Sequence, residues 1–169
     1  VEEIAVKMNS EVFLASVGTT TEMTGLFDSY LSNLVKKMRA QFKTLGTKDI
    51  RLNAETRTGD PVGELLQYAD EIKATEMVIS SQSSASPKPW VLGNVANKII
   101  RASKRPVLLI RSAPNEAALK QGRLIKRILV PLDGSQIGES ALPAASALAK
   151  NLGAELILLQ AVEPATAPQ

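Results

Sequence analysis

The 169 residues are 44% hydrophobic and 22% charged, the balance of a soluble globular protein with room for one core and part of another. A formal charge of +3 is too small to point to nucleic acid. The absence of cysteine and histidine excludes disulfides, thiolate chemistry, Ser-His or Cys-His couples and the usual zinc sites.

In chain order, residues 11–17 (EVFLASV) predict a short apolar strand after the tail of a helix. From Phe27 to Leu45 the apolar residues recur at helical spacing, with Gly46 as the stop. Residues 49–55 alternate Ile50, Leu52 and Ala54 on one face of a strand. In GDP (59–61), Asp60 suits a helix N-cap and Pro61 the first helical position. Residues 76–80 read as a buried strand, 94–103 as a helix and 105–111 as a further buried strand. The polar stretch 113–125 reads as a linker, and its KQGRLIKR cluster (120–127) as a solvated segment rather than a contact for an acidic partner. RILVPLDGS (127–135) predicts a strand and turn. A helix follows, with Pro143 marking a kink or an early first turn, and residues 154–162 close the chain with another buried strand. Strands this apolar, alternating with helices, indicate an α/β protein whose parallel sheet is covered on both faces.

Residues 5–17 align without gaps on 149–161, with Ala5/Ala149, Glu11/Glu155 and Leu14/Leu158 identical. Each segment is a helix end followed by a strand, the mark of a duplicated unit.

Together these segments resemble the universal stress protein family. KRILVPLDGSQIGESALPAASALAKNLGAELILLQAVEP (126–164) is similar to the first strand, helix and second strand of such a domain. Residues 1–112 are similar to the part from the second to the fifth strand, including the GDP turn, EMVIS and PVLLIR. The resemblance implies a five-stranded parallel sheet of order 3-2-1-4-5 with helices on both faces. It also implies that the chain is the middle of a tandem protein: 1–112 the later part of one domain, 113–125 a linker, 126–169 the early part of the next. Residues 1–112 then lack the central strand and leave exposed edges. Residues 127–131 could fill that gap, within the chain or in a partner chain. Residues 11–17 and 156–162 would then compete for the second-strand slot. A truncated tandem protein and an exchanged dimer both remain open.

In nucleotide-binding members, G-x-x-G, nine residues, then G-S/T follows the fourth strand. The glycines let the main chain approach the phosphates, and helix N-terminal amides complete the anion site. The corresponding residues here are Ser80, Ser83, Gly93 and Asn94, followed by Val95. Serine at the two glycine positions costs roughly 1–2 kcal/mol wherever the loop needs a positive φ, yet its hydroxyl can donate to phosphate. The plain alternatives are a polar loop at Ser80 and Ser83 and an ordinary N-cap at Asn94. Trp90 reads as packing on the domain rather than covering a ligand. Asp133 matches the aspartate that contacts the adenine or ribose side of the ligand; otherwise it caps the helix that follows. Val17 and Ala161 match the second-strand position lining the adenine pocket. Asp133 and the Gly93 loop belong to different repeat halves, so a complete site needs the two to meet.

The resemblance therefore implies a cytoplasmic, stress-related regulatory module with an altered site for ATP or another adenine nucleotide, carried with Mg. A non-nucleotide dimerisation or interaction module is the alternative, and a slow ATPase is less favoured. No catalytic or metal residues are nominated. The expected partner is a second copy, as a homodimer or exchanged dimer, with a protein partner possible and neither nucleic acid nor membrane expected.

Overall fold

The computed structural model describes residues 2–44, 50–81, 92–110 and 125–162, in two compact units, Val1–Pro114 and Asn115–Gln169. Gly46, most of the 113–125 linker, Ser83 and Trp90 lie outside the described residues.

The first unit runs α1 (Glu2–Lys7), β1 (Val12–Gly18), α2 (Thr21–Thr44), β2 (Leu52–Thr58), α3 (Pro61–Glu71), β3 (Met77–Ser80), α4 (Asn94–Ala102) and β4 (Val107–Ile110). β1 and β2 pair in parallel from Val12–Leu52 to Gly18–Thr58, and β3 and β4 from Met77–Val107 to Ser80–Ile110. Ala5, Val12, Met38, Phe42 and Leu52 form one buried cluster, which joins α1, α2 and the first strand pair. α2 begins six residues before the apolar stripe, because its first turns need no buried face: Leu26 there is 73% exposed. β2 lies three residues beyond the predicted strand. Its pairing with β1 is made by backbone groups and carries on through the polar residues Glu55–Thr58.

Among these, Arg57 joins β2 to α3. Its Nε donates to Glu64 at 2.9 Å, its Nη1 to Glu71 at 2.6 Å, and its guanidinium lies 5.3 Å from the Tyr68 ring centre. Hydrogen bonding from Arg57, then from Gln67, holds the Glu71 carboxyl below its ordinary value.

α3 starts as its sequence dictates. The Asp60 carboxylate accepts from the Gly63 amide at 2.8 Å, and proline stands at the first helical position. Asp60→Ala is expected to cost about 1 kcal/mol in urea unfolding, and Asp60→Ser to restore most of it. Equal stability of the alanine variant would show the cap to be idle.

The second unit comprises β5 (Arg127–Leu132), α5 (Gln136–Glu139), α6 (Leu142–Leu152) and β6 (Glu155–Gln160). β5 and β6 pair in parallel from Arg127–Glu155 to Leu132–Gln160. Pro143 takes the early first turn: α5 ends at Glu139, and the proline sits in the opening turn of α6. Gly153 closes α6 at φ 61°, a left-handed conformation that favours glycine.

The described strands thus form three two-stranded parallel sheets, not one five-stranded sheet. The strands are also less covered than their apolar composition implies. Leu129, Leu158 and Leu159 are all more than half exposed, because a two-stranded sheet leaves a face and both outer edges open.

Candidate nucleotide site

In the first unit, the carboxyl end of β3 and the start of α4 enclose a cavity of about 350 Å³. Ser80, Gly93, Asn94 and Val95 all line it, with Leu65 and Ile99 as its apolar wall. β3 carries the chain to Ser81, whose amide donates to the Ile110 carbonyl at 2.9 Å. The Ser81 carbonyl then accepts from the Gly93 amide at 3.1 Å, so α4 starts directly beside the strand end. The loop between them, residues 82–91, lies outside the described residues.

The N-cap of α4 is Gly93, not Asn94. Asn94 takes the first helical position, so its side chain does not cap the helix. Gly93 brings no capping side chain, and the first turn carries no acidic residue. The helix N-terminus therefore presents amides and the positive end of its dipole towards the cavity. Gly93 sits at φ −57°, ψ 147°, and an added Cβ would lie 3.7 Å from the Ser81 carbonyl. Neither backbone conformation nor space demands glycine there. The strain considered for Ser80 does not arise either, since among the described residues the non-glycine positive-φ positions are Asn9 and Lys73 alone. Val17, half-buried in β1, is not among the residues lining this cavity.

In the second unit, Asp133 follows β5 and Ala161 follows β6. The helix cap here is Ser135, whose Oγ accepts from the Gly138 amide at 3.0 Å. Asp133 instead accepts from the Ser135 amide at 2.9 Å, closing the turn before the cap. Hydrogen bonds from the Ser135 side chain and then its amide hold the Asp133 carboxyl below its ordinary value. The capping role considered for Asp133 thus belongs to its neighbour, and the carboxylate stays exposed and ionised. Gly134 completes the turn at φ 82°.

The universal stress protein family model matches residues 2–111 and 124–169. The chain belongs to the universal stress protein family. The universal stress protein YxiE of Bacillus subtilis (strain 168) is 27% identical over 126 residues, covering 64% of this chain and 84% of its own length. The solved structure of the hypothetical protein MJ0577 shares the fold, with a TM-score of 0.52 at 18% identity over 68% of this chain and 87% of that one. A universal stress protein solved in complex with cAMP gives a TM-score of 0.47 at 23% identity, over 66% and 82% of the two chains.

In this universal stress protein, two residues with a bearing on the site escape a sequence reading. Ser81, 6% exposed, ties the end of β3 to both β4 and Gly93. Gly138 lies behind Asp133, where a Cβ would approach Oδ1 to 2.7 Å. A polar residue at a strand end and a glycine in the first turn of a helix were the available signals, and both are commonplace. No helix among the described residues is long and apolar enough to cross a membrane.

Proposed function

We propose that this universal stress protein is a stress-related regulatory module that binds ATP or another adenine nucleotide at the end of β3. The observation that carries this reading is the uncapped start of α4 facing a cavity whose polar wall is Ser80, Asn94 and the adjacent amides. Helix amides and a positive dipole end favour phosphate, and the serine hydroxyl adds a donor. Phosphates would lie against Gly93, Asn94 and Val95, with Leu65 and Ile99 screening one side from water. Mg would enter with the phosphates, since no group of three or more acidic, His or Cys side chains that could hold it occurs among the described residues. In the second unit, taken by itself, Asp133 is exposed and ionised, an acceptor of the kind a ribose hydroxyl or adenine amino group needs.

Calorimetric titration of about 100 μM protein with Mg-ATP tests this. Saturable binding is expected, and Asn94→Glu should weaken it about tenfold or more, ~1.4 kcal/mol. A carboxylate at the first turn suits the helix dipole, so the variant should fold while repelling phosphate. No binding by the folded parent protein would sink the proposal and leave the interaction-module reading, which the strand edges left without a neighbour among the described residues favour.

A further inference from the structure

A groove of about 430 Å³ in the first unit is distinct from the candidate nucleotide site. It opens between β1 and β3 over α3, lined by Phe13, Ala15, Tyr68, Ile72, Met77 and Val78 among others. Its walls are strand edges. In a parallel ladder successive residues turn their backbone groups to opposite edges. Val12 donates to the Arg51 carbonyl and Gly59 to that of Gly18, so the even-numbered residues of β1 face β2. Phe13, Ala15 and Val17 therefore face away from it. On β3, Met77 donates to the Pro106 carbonyl and Ser81 to that of Ile110, so Val78 faces away from β4. The edge of β1 turned away from β2 and the edge of β3 turned away from β4 thus border one groove, part apolar and part polar.

The internal repeat shows what fits between them. Glu155 donates to the Lys126 carbonyl, so residues 155, 157 and 159 of β6 face β5. The repeat places Glu155, Ile157 and Leu159 on Glu11, Phe13 and Ala15. The open edge of β1 is thus the counterpart of the very edge of β6 that β5 occupies. Transferring the β5–β6 register sets Leu129 opposite Phe13, Pro131 opposite Ala15 and Arg127 opposite Glu11, the residue identical to Arg127's present partner Glu155.

We propose that β5 of a second copy of this chain inserts in parallel between β1 and β3, giving a reciprocally exchanged dimer. Charge fixes the direction. Glu11 and Glu76 line the groove and stand just before the starts of β1 and β3, and Lys126 and Arg127 stand at the start of β5, so parallel insertion is the direction that brings opposite charges together. Lys73 also lines the groove, and Glu11 already accepts from Asn53, leaving the two carboxylates a net attraction for the incoming cations. β5 leaves β6, its one neighbour among the described strands, for a slot with two, and Leu129, 56% exposed at home, becomes covered. Pro131 turns its missing N–H towards β3, which forfeits one hydrogen bond of that new ladder. The exchange stands on the strand edges and the repeat alone. Its consequence for ligand binding rests on the nucleotide reading: the same register sets Asp133 opposite Val17, at the strand ends where Ser80 also lies.

The chain has no cysteine, so single thiols report the pairing without background. Glu11→Cys and Arg127→Cys, both exposed positions, are made in separate chains, mixed in equal amounts and oxidised. Neighbouring strands run about 4.8 Å apart, within reach of a disulfide. A mixed disulfide of twice the chain mass is expected. Light scattering of the unmodified chain at about 100 μM should give a dimer, and an excess of a peptide spanning residues 125–133 should convert it to monomer. A monomer without mixed disulfide overturns the proposal. So does an intrachain disulfide in a monomer carrying both substitutions, or a dimer indifferent to the peptide. None of these readings involves nucleotide, so failure here is separable from failure of ATP binding.

Discussion

Replacing Phe42 by alanine is expected to destabilise the first unit by about 3–5 kcal/mol, the range for emptying a buried aromatic position. Phe42 is 4% exposed in the last turns of α2, among Val12 of β1, Leu52 of β2, Ala5 of α1 and Met38 one turn before it. The cluster is aliphatic apart from this ring, so nothing of similar size can move in. The cavity should persist. Small domains are stable by only about 5–15 kcal/mol, so the loss is a large part of the total. Amide exchange at β1 and β2 is the suitable readout in a chain of two units, where one melting curve would not describe a single transition. Protection there should fall by on the order of a hundredfold or more. Leu26→Ala, in the same helix but 73% exposed, should stay within about 0.5 kcal/mol of the parent. A mild Phe42→Ala would mean that α2 does not depend on this cluster for its anchorage.

How far the sequence spoke depended on how local each signal was. Asp60 and Pro61 announced α3 because a cap and a fixed φ act within one turn. Pro143 announced a break for the same reason, and the chain opens a second helix there. Of the stripe from Phe27 to Leu45, Leu31, Met38 and Phe42 are buried but Tyr30 is exposed, and the first turns of α2 left no periodic trace. Asp133 and Ser135 were a harder case. Both residue types cap helices, and only geometry shows that the hydroxyl takes the cap while the carboxylate closes the turn. Asn94 was displaced in the same way, by a glycine whose contribution is its backbone alone. For the strands, apolar composition revealed that each exists and is parallel in kind. It could not reveal which edges are occupied, because backbone groups make the ladders and every residue except proline carries the same ones. Only the family resemblance offered a strand order, and the pairs β1–β2, β3–β4 and β5–β6 come from the structure.

Gly138→Ala is expected to displace the Asp133 carboxylate. In an ordinary helix the change adds up to about 1 kcal/mol of stability. Here the new methyl would stand 2.7 Å from Asp133 Oδ1 and 3.3 Å from Ser135 Oγ. The first distance is too short for any real contact, so the Asp133 carboxylate must swing away and give up its hydrogen bonds from Ser135. Those bonds hold its pKa below the ordinary 3.8, and losing them should raise it back towards that value. Because the folded pKa is the depressed one, the stabilisation is complete above 3.8 and fades as pH falls through the folded value; in the variant this acid-side dependence should shrink. Carboxyl-carbon NMR titration of Asp133 reads the shift directly. If Asp133 contacts the nucleotide, Gly138→Ala should also weaken Mg-ATP binding about tenfold, although the carboxylate itself is retained. Asp133→Asn keeps the size but not the charge, and separates position from electrostatics. A raised pKa with unchanged affinity would detach Asp133 from the ligand while leaving the α4 site intact. An unshifted pKa would mean that α5 moves in place of the side chain, and that the glycine sets the helix rather than the carboxylate.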